Sequence, residues 1–234
     1  MKALTEECGV VSFIIKGAKR KEFPFKGALD PLALSEVVFR QNPSTELQFV
    51  KEASITNWHE RLRASLMELA VAQVMAEILL RYAPQGVPLP DEFALLLGAL
   101  DALDSPTPSE AVFSNWLLDT CDLWGYHLEL GACNRCERPL DGPAADFSPE
   151  TGALICKHCL GIQSPRARLE TLQGLWMLHL VRNCSAEVPQ KLSGRIFVEN
   201  ALLSYLRNHI GFLKEIHSLS WLQEVRKLCS APST

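Results

Sequence analysis

Several absences narrow the function of this 234-residue chain. No run of about 18 uncharged apolar residues is present, so no membrane-spanning helix is expected. The opening residues, MKALTEECGVV, lack the basic-then-apolar pattern of a secretion signal, which points to the cytosol. The formal net charge is −4, so the chain has no generally basic coat, and any nucleic-acid contact must come from a local patch. There is no internal repeat; only the closing SAPST reads as a disordered tail. Catalytic signatures are missing too: no GxxxxGK phosphate loop, no GxGxxG dinucleotide turn, no GxSxG elbow. HERLR, starting at His59, opens like a zinc-protease helix, but Arg63 stands where the second histidine belongs. His127, His179, His209 and His217 have no partner assignable from sequence and read as surface or satisfied core groups. The chain therefore reads as a binding protein and not as an enzyme.

What is present suffices for real cores, since 47% of the residues are hydrophobic. Up to residue 56 the pattern is β. GVVSFIIK, LALSEVVF and LQFVKEASI give three strands, with a fourth at the extreme N-terminus, and QNPST makes a turn between the last two. From Asn57 the period becomes helical. Asn57 and Glu60 have capping-box spacing, followed by a stripe of Leu62, Leu66, Leu69, Val74, Ile78 and Leu79. Further helices are expected over 91–103, from Thr107 as cap with Pro108 at its first position to a stop at Gly125, from Ser164 through Val181, over 194–210 and over 218–229. Trp116, Trp124, Trp176 and Trp221 fall on apolar faces and read as core. These patterns predict an α+β protein with a sheet domain at 1–56 and an all-α domain at 57–234.

Four of the eight cysteines form a pattern: Cys133 and Cys136, then 19 residues, then Cys156 and Cys159. Two CxxC knuckles facing each other supply the tetrahedral sulfur shell that Zn2+ prefers, and four protein ligands leave no open position, which marks a structural site. The intervening RPLDG and SPETG are turn-rich and carry too little apolar content to fold without a staple, so a zinc-stapled insert is expected at about 131–162. A thioredoxin-type redox pair normally stands alone between a strand and a helix, which leaves it, with a degenerate metal-free site, as the competing reading. His158 lies inside the second knuckle but is not needed as a ligand. Cys8, Cys121, Cys184 and Cys229 are scattered and read as small buried hydrophobes.

The local patch is KGAKRKEFPFK, where Lys16, Lys19, Arg20, Lys21 and Lys26 face a single acid, Glu22. These cations suit phosphates, and Phe23 and Phe25 could offer faces to unpaired bases. The alternative is a solvated loop whose phenylalanines fold back on the sheet.

Taken together, the chain resembles the RecO family. LTEECGVVSFIIKGAKR is similar to the family's strand ending in a glycine-basic turn, and GALDPLALSEVVF to the strand that follows. LLDTCDLWGYHLELGACNRCERPL with DFSPETGALICKHC resembles its helix leading through Gly-Tyr into a zinc finger, and LLSYLRNHIGFLKEIHSLSWL its closing helix. The resemblance implies an OB-fold DNA-binding domain ahead of the helical domain, in a recombination mediator of DNA repair. Such a protein binds single- and double-stranded DNA, anneals complementary strands and works with RecR to load RecA onto strands coated by the single-stranded-DNA-binding protein, whose acidic C-terminal tail docks on the helical domain. It implies a cytoplasmic protein that joins the nucleoid during repair. Carried over by position, the family's basic turn falls on Lys16, Lys19 and Arg20 and its metal ligands on the four cysteines; Lys21 and Lys26 extend the patch on charge alone. Arg182, Arg195, Arg207 and Lys214 are candidate rims for the tail.

Family members have about one and a half strands more before the stretch matching LTEECG, so either the true start lies upstream or the OB barrel lacks its first strand and leaves unpaired edges that a partner chain would complete. If that weakens DNA binding, the alternative is a zinc-stapled helical adaptor acting only through protein partners.

Overall fold

The computed structural model describes residues 1–16, 25–84, 86–183, 195–211 and 215–230. It comprises two compact units, one of Met1–Thr107 with Ile216–Thr234 and one of Pro108–Glu215. The first unit carries β1 (Lys2–Thr5), β2 (Gly9–Ile14), β3 (Leu34–Arg40), β4 (Leu47–Asn57), α1 (Glu60–Ala64), α2 (Leu66–Tyr82) and α3 (Pro90–Leu103). The second carries α4 (Ser109–Leu123), β5 (Asp146–Ser148), β6 (Ala153–Ile155), α5 (Lys157–Leu160), α6 (Leu169–Asn183) and α7 (Arg195–His209). The chain then returns to the first unit as α8 (Ser218–Ser230). The protein is α+β, with its main sheet at the N-terminus and helices following.

The main sheet has the order β1-β2-β4-β3, with β2 and β4 parallel and the outer pairs antiparallel. β1 is the expected N-terminal strand. Val10, Val11, Ser12 and Phe13 are all buried, as a strand covered on both faces requires. Phe13 meets Phe39 edge to face at 5.1 Å between ring centres. Only Leu47, Gln48 and Phe49 of β4 pair with β2, whereas β3 follows β4 along its length with two register shifts. Gly9 opens β2 at φ 63, and a Cβ there would come within 1.8 Å of the Val87 carbonyl oxygen, so only glycine lets that loop approach.

The helical period begins later than Asn57 suggests. Asn57 still belongs to β4, and its side-chain oxygen accepts from the His59 amide at 3.0 Å. His59 is the residue before α1, at φ 53, and is fully buried: Nδ1 lies 2.9 Å from the Leu32 carbonyl and Nε2 3.3 Å from Asp101. That ring ties the loop before β3 to α3. The expected single helix is broken at extended Ser65, which precedes α2 with its hydroxyl donating to the Glu68 carboxylate and not capping a backbone amide, so the predicted Asn57–Glu60 box does not open this helix. α4 likewise starts at Ser109 with Pro108 as its cap, one residue past the predicted start.

In the first unit α2 packs on α3 and α8 around Val71, Val74, Met75, Ile78, Leu103, Leu222 and Val225. Glu77 of α2 fixes α8: its carboxylate accepts from the amides of His217 and Ser218 at 3.1 and 2.8 Å and from the Ser218 hydroxyl at 2.6 Å. Burial alone would raise its pKa, but the Ser218 and His217 donors and Arg81 outweigh that and hold it at about 2. In the second unit α7 packs on α4 and α6 around Phe113, Trp116, Leu117, Leu175, Leu202 and Leu206. Trp116 is buried as expected, while Trp124, Trp176 and Trp221 are half-buried. Of the scattered cysteines Cys121 is buried as expected, its thiol pushed up to about 12 chiefly by burial, whereas Cys8 is half-buried and Cys229 exposed; Cys184 lies outside the described residues.

Candidate metal centre and basic surface

The four cysteines come together from two structures that the sequence makes in different ways. The first knuckle is a tight loop. The Cys133 amide donates to the Arg138 carbonyl at 3.0 Å, the Glu137 amide returns to the Cys133 carbonyl at 2.8 Å, and Glu137 takes φ 58 to close the turn. The second knuckle follows β6. Cys156 caps the short α5, its sulfur accepting from the Cys159 amide at 3.4 Å. Asn134 joins the two: its amide donates to the Leu154 carbonyl at 2.8 Å and its side-chain oxygen accepts from the Leu154 amide at 2.7 Å.

The four sulfurs all lie within 4.8 Å of one another, and Cys136 and Cys156 are 3.9 Å apart. A tetrahedral zinc with Zn–S of about 2.3 Å needs sulfur–sulfur edges of about 3.8 Å, so the donor set fits that ion in chemistry and in span. Burial opposes ionisation of Cys133, yet the amides of Cys156, Cys136 and Arg135 bring its thiol down to about 6. Cys136 is lowered first by the Arg138 amide, while Cys159 is pushed up to about 12 by hydrogen bonding to Cys136 and by burial. Adjacent sulfurs cannot all be anionic by themselves; a divalent cation removes that restriction. His158 is exposed and outside the cluster.

Around this centre the polar groups are satisfied internally. β5 and β6 form a hairpin closed by the Gly152 amide donating to the Ser148 carbonyl at 2.7 Å. Gly152 sits at φ +71 with Leu128 and Tyr205 over it, at 2.5 and 2.8 Å from where a Cβ would stand. Asp146 is buried and latches the exit of the insert, accepting from the amides of Arg166 and Ala167 at 2.7 and 3.0 Å and from the Arg166 guanidinium at 3.1 Å. Burial would raise its pKa; those donors lower it. The sequence hides this latch, because the hairpin brings together residues 20 apart.

The basic patch is only partly in view. Lys16, just past β2, is exposed, and its ammonium lies 4.7 Å from the centre of the Phe49 ring. Lys26 is exposed. Lys19, Arg20 and Lys21 lie outside the described residues, as does Phe23. Phe49 was hidden in LQFVKEASI, which reads as an apolar run; its outward position shows only once Gln48 and Val50 are assigned to the opposite face. Arg182, a candidate rim cation, is held by Asp119 and Asp122 at 3.0 Å each. Lys214 and the Arg195 side chain are outside the described set. Among the described residues no helix is long and apolar enough to cross a membrane.

Comparison with known proteins covers nearly the whole chain. The family model "Recombination protein O N terminal" matches residues 1–59 and "Recombination protein O C terminal" matches residues 63–218. The chain is 28% identical over 235 aligned residues to the DNA repair protein RecO of Anaeromyxobacter sp. strain K, spanning 97% of this chain and 90% of that one. It is 30% identical over 178 residues to the RecO of Cutibacterium acnes (74% and 71% of the two chains), and 25% identical over 227 residues to that of Dehalococcoides mccartyi strain CBDB1 (95% and 87%). With an N-terminal sheet, a helical remainder holding a four-cysteine cluster, and both family halves matched in order, the chain belongs to the RecO family.

Proposed function

We propose that this chain is a recombination mediator in DNA repair: it binds single- and double-stranded DNA, anneals complementary strands and, with RecR, helps load RecA onto DNA coated by the single-stranded-DNA-binding protein. The observation that carries this reading is the match of both halves of the family along one chain. In it the N-terminal strands are an OB-like DNA-binding domain at 1–56, and Lys16, Lys19, Arg20, Lys21 and Lys26 contact phosphates. The exposure of Lys16 and Lys26 supports the assignment of those two. Residues 57–234 are the helical domain that receives the coating protein's tail.

Annealing under this reading needs no bond making. Cations screen the phosphates of two strands, aromatic faces hold unpaired bases, and release follows pairing. Cys133, Cys136, Cys156 and Cys159 hold one structural Zn2+, which cross-links two knuckles and activates no water. The working place is the cytoplasm. The test is annealing of complementary oligonucleotides with and without the coating protein, at two salt concentrations. Acceleration that weakens at higher salt is expected. Binding of the coating protein's tail with unchanged annealing would favour the adaptor and overturn the DNA role.

A further inference from the structure

Phe49 is the middle of a row that crosses three strands. Ile14 of β2 pairs with it on one side and Arg40 of β3 on the other, and residues directly opposite one another share a face of the sheet. On that face Phe49 is 47% exposed and Val38 53%. Lys16 and Arg40 are both exposed, and no ion pair between described residues involves either. Beside the ring lies a cavity of about 190 Å3 lined by Ile14, Ile15, Lys16, Phe25, Phe49 and Val50. That is below the roughly 300–1,000 Å3 that encloses a whole small molecule. Further along β3 and β4 the paired positions on this face carry Glu36 and, past exposed Lys51 at the register shift, Glu52.

We propose that Phe49, flanked by Lys16 and Arg40, is a stacking platform for an unpaired base of a DNA strand, and that it sets the preference for single strands over duplex. This rests on the reading above that the sheet domain binds DNA. A half-exposed, flat, apolar ring with Lys16 over it and Arg40 opposite it in register, neither cation paired with a carboxylate among the described residues, matches the alternation of base and phosphate along a single strand. In a duplex the bases are stacked on one another, so the platform adds nothing there. The Lys16 ammonium over the ring is no obstacle. An exposed cation–π contact is worth a factor of roughly 2 to 5, whereas base–aromatic stacking is worth roughly 5 to 150, and the flexible lysine can move to a phosphate.

The test is fluorescence anisotropy of the full zinc-loaded chain with three probes: an oligothymidylate of about 20 nucleotides, an abasic strand of equal length and a duplex of equal length. Phe49→Ala is expected to bind oligothymidylate roughly tenfold more weakly while its affinity for the abasic strand and the duplex stays within about twofold of the parent. Phe49→Leu keeps apolar bulk without a flat face and should lose nearly as much, with an unchanged melting temperature. Arg40→Ala should weaken binding to both single strands and flatten the salt slope by about 0.7. Equal losses on all three probes, or no loss on oligothymidylate, would overturn the platform and leave the DNA-binding reading standing. A parent protein that binds none of the probes at low salt would remove both.

Discussion

The four-cysteine insert and the sheet face around Phe49 both concentrate chemically capable side chains, and they use them in opposite ways. In the insert, sulfurs accept from backbone amides, Asn134 and Leu154 bond reciprocally, and buried Asp146 is committed to two amides and a guanidinium. On the sheet face Phe49 is half exposed, and Arg40 and Lys16 have no carboxylate among the described residues. Polar groups consumed by internal partners make a region rigid; groups left open are available to a ligand. The most conspicuous motif in the sequence is therefore assigned to stability, and the less conspicuous strand to recognition.

The largest effect that could break this contrast is metal removal. Structural zinc in isolated fingers contributes about 10–16 kcal/mol, so chelation or Cys136→Ser should unfold the insert, seen as lost near-ultraviolet circular dichroism, and metal analysis should return one zinc per parent chain and none in the variant. Oligonucleotide affinity should fall by less than about threefold; a collapse in affinity would place the insert in the DNA site. Next is Gly152→Ala, which forces a side chain into positive φ and onto Leu128 and Tyr205. It should cost about 2–4 kcal/mol in denaturant unfolding, again without loss of DNA binding.

Asp146→Asn and Glu77→Gln should each cost about 1–3 kcal/mol by leaving donors poorly matched. Both carboxylates are held below their ordinary values, so the stability they contribute is complete above the unfolded carboxylate range. It is lost as pH falls through their folded values, near 2 for Glu77. In a melting-temperature series against pH, each variant should show a shallower acid limb than the parent. The smallest change in stability, under about 0.5 kcal/mol, is expected for Lys16→Ala with Lys26→Ala. That pair should instead flatten the salt dependence of single-strand binding by about 1.4 on a log–log plot, which sharpens the contrast from the other side.

Strand and helix periods placed the elements well because both follow from burial of one face: β2, β3, β4, α3, α7 and α8 lie close to where alternation and helical stripes put them. The CxxC spacing announced the sulfur cluster because a tight knuckle needs only local sequence. Local rules failed where tertiary contacts chose between equivalent signals. Asn57–Glu60 and Ser65–Glu68 have the same capping spacing, but continuation of β4 and burial of His59 against Leu32 and Asp101 keep Asn57 in the strand, and α2 begins after Ser65. The Asp146 latch and the row through Phe49 depend on strand register, which no window of neighbouring residues contains.

The most direct measurement of the central claim, that open cations on the sheet domain hold DNA, is the affinity of the zinc-loaded chain for a single strand across a salt series. Three or four phosphate contacts predict tight binding in dilute buffer and a log–log slope of roughly −2 to −3. No binding at low salt, or an affinity indifferent to salt, would contradict it.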